Sequence, residues 1–174
     1  MPVRMMKRLF LCRHAKSSWK DTSLADIDRP LNKRGRKNAP EMGRRLAARD
    51  VKPDLILSSP ARRALKTARL IARELGIDKS AIVVIDSLYD SFPVRLLQVV
   101  REMEGCHEAV MLVGHNPEMT MLANILGDLD IENVPTCGIV ALDFTVESWR
   151  QVDEGNGILV FFDYPKMEGG TDLF

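Results

Sequence analysis

Little in this sequence assigns it at a glance. It has three cysteines, Cys12, Cys106 and Cys137, and no C-x-x-C pair, which argues against a disulfide framework and a zinc knuckle and suits a reducing compartment. No apolar run approaches the ~18 residues of a membrane-spanning helix. The N-terminal MPVRMMKRLF is basic, but the apolar stretch behind it meets Arg13 too soon for a signal peptide. No membrane association is expected, and a cytoplasmic location is. An excess of one charge is also missing: 25 Lys and Arg face 24 Asp and Glu, a formal net charge of +1. Such a chain has no global field to recruit nucleic acid or an anionic membrane, so anion binding must be local. Neither a Walker A sequence nor G-x-G-x-x-G is present, which disfavours nucleoside-triphosphate and dinucleotide sites. Repeats, low-complexity segments and linkers are absent too, and residues 1–174 are read as a single domain with one core.

What the chain does have is alternation. Short β-rich apolar runs at residues 9–12, 55–57, 82–85, 110–113, 139–144 and 158–162 are separated by stretches of helical period. Ser59-Pro60 reads as a cap followed by proline in the first helical position, with Gly76 as the stop. Asn116-Pro117 and Gly127 bound another helix, and Phe92-Pro93 opens a third. Residues 32–49 are helical in pattern, with Pro40 either kinking the helix or marking its start. This grammar predicts a three-layer α/β/α sandwich with a mostly parallel central sheet and an antiparallel edge from the last two strands. The tail KMEGGTDLF is expected to be loosely held.

In open α/β sheets, ligands bind at the carboxyl ends of the strands. There the sequence places Arg13-His14, SSPARRALKTA and Gly114-His115-Asn116-Pro117. If these strands are neighbours, Arg13, His14, one arginine of the pair Arg62/Arg63 and His115 converge on an anion site with no carboxylate among them. Spacing alone leaves the choice between Arg62 and Arg63 open. Arginine forks match phosphoryl oxygens and stabilise a transferring phosphoryl group. Positive neighbours depress a histidine pKa and leave its nitrogen free to attack, so His14 is the candidate nucleophile and His115 a donor to the same oxygens. Cys12 fails as a phosphatase thiol because C-x-x-x-x-x-R would need arginine where Ser18 stands; strand packing is its expected role.

The segments RHAKSSW, DIDRPLNKRG, PDLILSSPARRALKTA, LYD and LVGHNPEM resemble, in order, those of the small phosphohistidine phosphatase (SixA-like) group of the histidine phosphatase superfamily. Ala15 replaces the glycine of that superfamily's RHG signature. The resemblance implies a phosphoglycerate mutase-like fold and a phosphatase that needs no metal or other cofactor. It also implies a phosphorylated nucleophile at His14, phosphate clamps at Arg13 and Arg63, and a second pocket histidine at His115. Arg29 occupies a motif position suited to ordering a loop over the site. Where many relatives carry a glutamate proton donor, this chain reads Ser87-Leu88-Tyr89-Asp90-Ser91, and only the shorter Asp90 is available. A weak acid favours substrates with good leaving groups, and phosphohistidine in a protein is one. Alternatives are a phosphatase for small phosphomonoesters with Asp90 as acid, and an adaptor that binds phosphorylated partners without hydrolysis.

Ser17, Ser18 and Trp19 are expected at the pocket mouth, with Ser17 within reach of phosphate. His107 reads as solvated, and Met119, Met121 and Leu122 as helix packing. The basic run LNKRGRK, residues 31–37, reads as a solvated helix face balanced by Asp26, Asp28 and Glu41 rather than as a nucleic-acid patch.

Overall fold

Apolar residues alternate sides along the central strands, and that alternation builds the layers. In β1 (Lys7–Arg13), Phe10 and Cys12 point to one face of the sheet and Leu9 and Leu11 to the other. A computed structural model describes residues 5–167. All of the expected tail beyond Met167 lies outside the described residues. The remaining strands are β2 (Leu55–Ser58), β3 (Ile82–Val84), β4 (Ala109–Gly114), β5 (Ile139–Phe144) and β6 (Ile158–Asp163). They form one sheet in the order β3-β2-β4-β1-β5-β6. Helices α1 (Lys33–Ala48) and α2 (Arg62–Glu74) pack over the Phe10 face, through Met42, Leu46, Ala68 and Ile71. Helices α3 (Pro93–Arg101) and α4 (Glu118–Gly127) pack over the Leu9 face, through Leu96, Val100, Leu122 and Leu126. Each of these side chains larger than alanine contributes roughly 1.5–3 kcal/mol by leaving water.

The sandwich is the α/β/α architecture expected. Strands β1 to β4 are mutually parallel, and β6 pairs antiparallel with β5 at the edge. The strand whose direction is reversed relative to the other five is β5, one place in from that edge, because it also pairs antiparallel with β1.

Several helix boundaries differ from the sequence pattern for physical reasons. Helix α1 begins before Pro40: the Asn32 side chain caps it by accepting the Gly35 N–H at 2.8 Å, and the helix continues through the proline. Helix α2 starts at Arg62 rather than Pro60, because the Ser59 hydroxyl is drawn to a histidine ring. Gly76 does stop α2, at φ 66°, whereas α4 ends one residue later than expected, with Asp128 in the left-handed conformation. Met119 and Leu122 are buried in the core, but Met121 is exposed.

Candidate active site

The three site-bearing strands lie side by side. β4 sits between β2 and β1, with Arg13 level with Gly114 and Ser58 level with Val113. One residue beyond those positions stand His14, Ser59 and His115. The His14 N–H donates to the Gly114 carbonyl at 2.9 Å and the Ser59 N–H to the Val113 carbonyl at 3.0 Å, which pins the corners together.

His14 is buried, and its Nδ1 lies 2.7 Å from the Ala15 carbonyl oxygen. A carbonyl only accepts, so Nδ1 carries the proton and Nε2 keeps its lone pair. Arg63 Nε approaches that Nε2 at 3.4 Å. Burial, followed by the nearby His115, Arg63 and Arg13, pushes the His14 pKa down to about 3. The His115 ring lies 5.1 Å from the His14 ring, centroid to centroid. Its Nε2 is 2.7 Å from Ser59 Oγ and its Nδ1 is 3.4 Å from an Arg63 terminal nitrogen. Burial and then Arg63 lower its pKa to about 4. Both imidazoles are therefore neutral at pH 7.

Of the two candidate arginines, Arg63 lies inside the pocket and Arg62 is exposed. Arg13 donates from one terminal nitrogen to the Val134 carbonyl at 3.0 Å, and its buried Nε has no partner among the described residues. These groups line a cavity of about 610 Å³ together with Ser17, Trp19, Arg29, Tyr89, Asp90 and Asp26.

Asp26 corrects the expectation that no carboxylate joins the cluster. One of its oxygens accepts from Arg63 at 3.0 Å and from the Tyr89 hydroxyl at 2.8 Å; the other accepts from Arg29 Nε at 3.1 Å. Its backbone carbonyl takes a further Arg63 N–H at 2.7 Å. Partial burial opposes its ionisation, but the bonds from Tyr89, Arg63 and Arg29 outweigh it and hold the pKa at about 2. Asp26 is thus a fixed anion and not an acid at neutral pH. Asp90 and Glu118 also line the cavity. Asp90 sits at φ 50°, a left-handed conformation that aspartate tolerates better than most residues.

Arg29 is buried, donates to Ser17 Oγ at 2.8 Å and to the Ser18 carbonyl at 3.3 Å, and stacks on the exposed Trp19 ring at 3.5 Å. It ties both ends of the loop over the site together. Ser17 therefore meets Arg29 directly. Cys12 is buried in the core, away from this chemistry. Among the described residues, the cluster with ligand types suited to a metal ion is Glu104, Cys106 and His107. It precedes β4, at the end of that strand opposite the pocket. His107 is only partly exposed, with Nδ1 3.4 Å from Asp54.

Ser59, Tyr89 and Asp26 are the site residues that sequence reasoning did not single out. SSP reads as a helix cap, and Asp26 opens a single 3-10 turn, Asp26–Asp28, too short for any periodicity to reveal.

Two neutral imidazoles and two guanidiniums at the ends of central parallel strands make a site for a phosphoryl group, and the sandwich carrying them is that of a phosphate-handling hydrolase. A model of the histidine phosphatase superfamily (branch 1) matches residues 9–88. An uncharacterized protein of Mycobacterium tuberculosis is 32% identical over 164 residues, covering 88% of this chain and 99% of its own. A crystal structure provisionally designated phosphohistidine phosphatase SixA, from Agrobacterium tumefaciens, superposes with a TM-score of 0.78 at 32% identity, covering 91% of this chain and 98% of that one. The protein histidine phosphatase SixA complexed with tungstate shares the fold, with a TM-score of 0.70 at 21% identity, covering 91% of this chain and 97% of that one. The chain belongs to the histidine phosphatase superfamily, and its class is that of a phosphatase.

Proposed function

We propose that this phosphatase removes phosphoryl groups from phosphohistidine in proteins, through a covalent intermediate on His14. The observation that carries the reading is the His14 ring: Nδ1 is tied to the Ala15 carbonyl at 2.7 Å and Nε2 is left with its lone pair beside Arg63. In the first step Nε2 attacks phosphorus and the bond from phosphorus to the substrate's imidazole nitrogen breaks, with that ring leaving as neutral imidazole after protonation. In the second step water attacks phosphorus, the bond to Nε2 breaks, and inorganic phosphate departs.

Arg13 and Arg63 would stabilise the charge on the three equatorial oxygens during both steps. Ser59 Oγ accepts the Ala61 N–H at 3.2 Å and lies 2.7 Å from His115 Nε2. The Arg63 nitrogen 3.4 Å from His115 Nδ1 can only donate, so Nδ1 holds the lone pair and Nε2–H donates to Ser59. A phosphoryl oxygen that draws Arg63 to itself would free Nδ1 to carry the proton and donate to it, with the Ser59 hydroxyl donating to Nε2 in turn. The carboxylate nearest the arginines, Asp26, is ionised, and this supports a substrate whose leaving group needs little help. Asp90 keeps a second reading open, hydrolysis of small phosphomonoesters with Asp90 as the proton donor, because it lines the same cavity.

Rapid mixing with a phosphohistidine peptide, an aryl phosphate and an alkyl phosphate, with mass spectrometry after an acid-free quench, tests both. Phosphate on His14 and fast turnover of the first two substrates is the expected result. Rapid turnover of the alkyl ester, abolished in Asp90→Asn, would favour the second reading; turnover with no phosphoenzyme would overturn the covalent mechanism, and binding with neither phosphoenzyme nor turnover would leave only a phosphate-binding adaptor.

A further inference from the structure

Of the three acids expected to balance the basic run at residues 31–37, two are engaged elsewhere, and the third, the exposed Asp28, forms no ion pair with it among the described residues. Asp26 is committed to Arg63, Tyr89 and Arg29, and Glu41 to Arg45 at 2.9 Å. On α1 the exposed positions of the first two turns are Lys33, Arg34, Arg36 and Lys37. On α2 every exposed position is a cation: Arg62, Lys66, Arg69 and Arg73. The two helices pack against each other on the same face of the sheet. Glu74 engages only the far end of this surface, through Arg73 at 3.5 Å and Arg44 at 3.7 Å. The other cations form no ion pair among the described residues.

This arrangement works against the fold that carries it. The positive end of a helix dipole favours acidic side chains, yet neither α1 nor α2 has an acid in its first turn and both have several cations there. In a chain of net charge +1, such crowding means that the opposing charge lies elsewhere on the surface. The patch also adjoins the pocket. Arg62 neighbours Arg63, and the carbonyl of Lys16, a cavity residue, accepts the N–H of Asn32, the cap of α1.

We propose that this face docks an acidic protein surface surrounding the phosphorylated residue, so that the substrate is held by charges well beyond its phosphoryl group. The inference rests on the phosphohistidine reading and deepens it. Neither helix carries an aromatic side chain on which nucleotide bases could stack, or an exposed large apolar one that could enter a membrane.

The test compares two synthetic peptides with the same phosphohistidine, one flanked by Asp and Glu and one by Lys, with p-nitrophenyl phosphate as a small substrate. The wild type should hydrolyse the acidic peptide with kcat/KM about tenfold or more above that of the basic one, and the advantage should fade as salt rises. Lys33→Glu/Arg34→Glu/Lys66→Glu should lose that advantage, keep its activity on p-nitrophenyl phosphate, and melt no lower than the wild type because acids now sit at the start of α1. The milder Lys66→Gln/Arg69→Gln should lose part of it. Equal hydrolysis of both peptides by the wild type overturns the proposal, as does stronger competition by duplex DNA or phosphatidylserine vesicles than by polyglutamate. Failure of the wild type on every substrate, p-nitrophenyl phosphate included, defeats the underlying reading and the proposal with it.

Discussion

Arg63 is the side chain on which the pocket converges: it reaches His14, His115 and two acceptors on Asp26. Lysine offers one compact charge in place of that planar fork. Arg63→Lys should therefore lower kcat about 10²-fold or more in steady-state assays while leaving the fold intact. Asp26→Asn separates two roles. Losing the anion beside Arg63 removes repulsion against a bound oxyanion, so vanadate and inorganic phosphate should bind tighter by equilibrium titration. Losing a charged anchor for Arg63, Arg29 and Tyr89 should slow turnover at the same time. The His14 ring should remain neutral by NMR titration well below pH 6, since its pKa is held at about 3 by burial and its neighbours. The catalytic candidates His14, Arg13, Arg63 and His115 were legible because motif and strand-end position coincide. Asp26, Tyr89 and Ser59 were not, because hydrogen bonds between distant loops leave no periodic trace.

At the scale of elements, close approach matters more than propensity. Gly35 lies in α1, where a Cβ would stand 2.2 Å from the Lys16 carbonyl oxygen. Gly35→Ala should thus destabilise the protein by about 1–3 kcal/mol in urea titrations, despite the better helix propensity of alanine, because helix or pocket loop must move. The same contact explains why DIDRPLNKRG is continuous in sequence but serves two elements, a loop over the pocket and the start of α1. Alternating apolar runs revealed the strands and their order of appearance. They could not show that β5 turns against its neighbours, since its residues Ile139 to Leu142 are buried whichever way the strand runs. Nor could spacing show where α2 begins, because a hydroxyl that caps a helix and one that meets His115 are the same residue in a sequence.

At the scale of the whole molecule, the two neutral histidines tie stability to pH. Both have folded-state pKa values below the ordinary 6.5, about 3 for His14 and about 4 for His115. The unfolded chain takes up protons there that the folded chain refuses. Their contribution is complete above pH 6.5 and is lost as pH falls, toward 4 for His115 and toward 3 for His14, by up to about 1.4 kcal/mol per pH unit for each ring. Urea midpoints measured between pH 7 and pH 4.5 should fall accordingly, and His14→Ala/His115→Ala should flatten the dependence. Strand order has a different consequence. His14 follows β1 and Arg63 lies in the first turn of α2 after β2, yet the strand between β1 and β2 is β4, which begins only at Ala109. A nascent chain that has not yet emerged past β4 holds His14 and Arg63, the proposed nucleophile and clamp, beside two strands with nothing to join them. The pocket should therefore be completed late in synthesis, by the insertion of a single strand, and fragments that end before Ala109 should show no phosphatase activity.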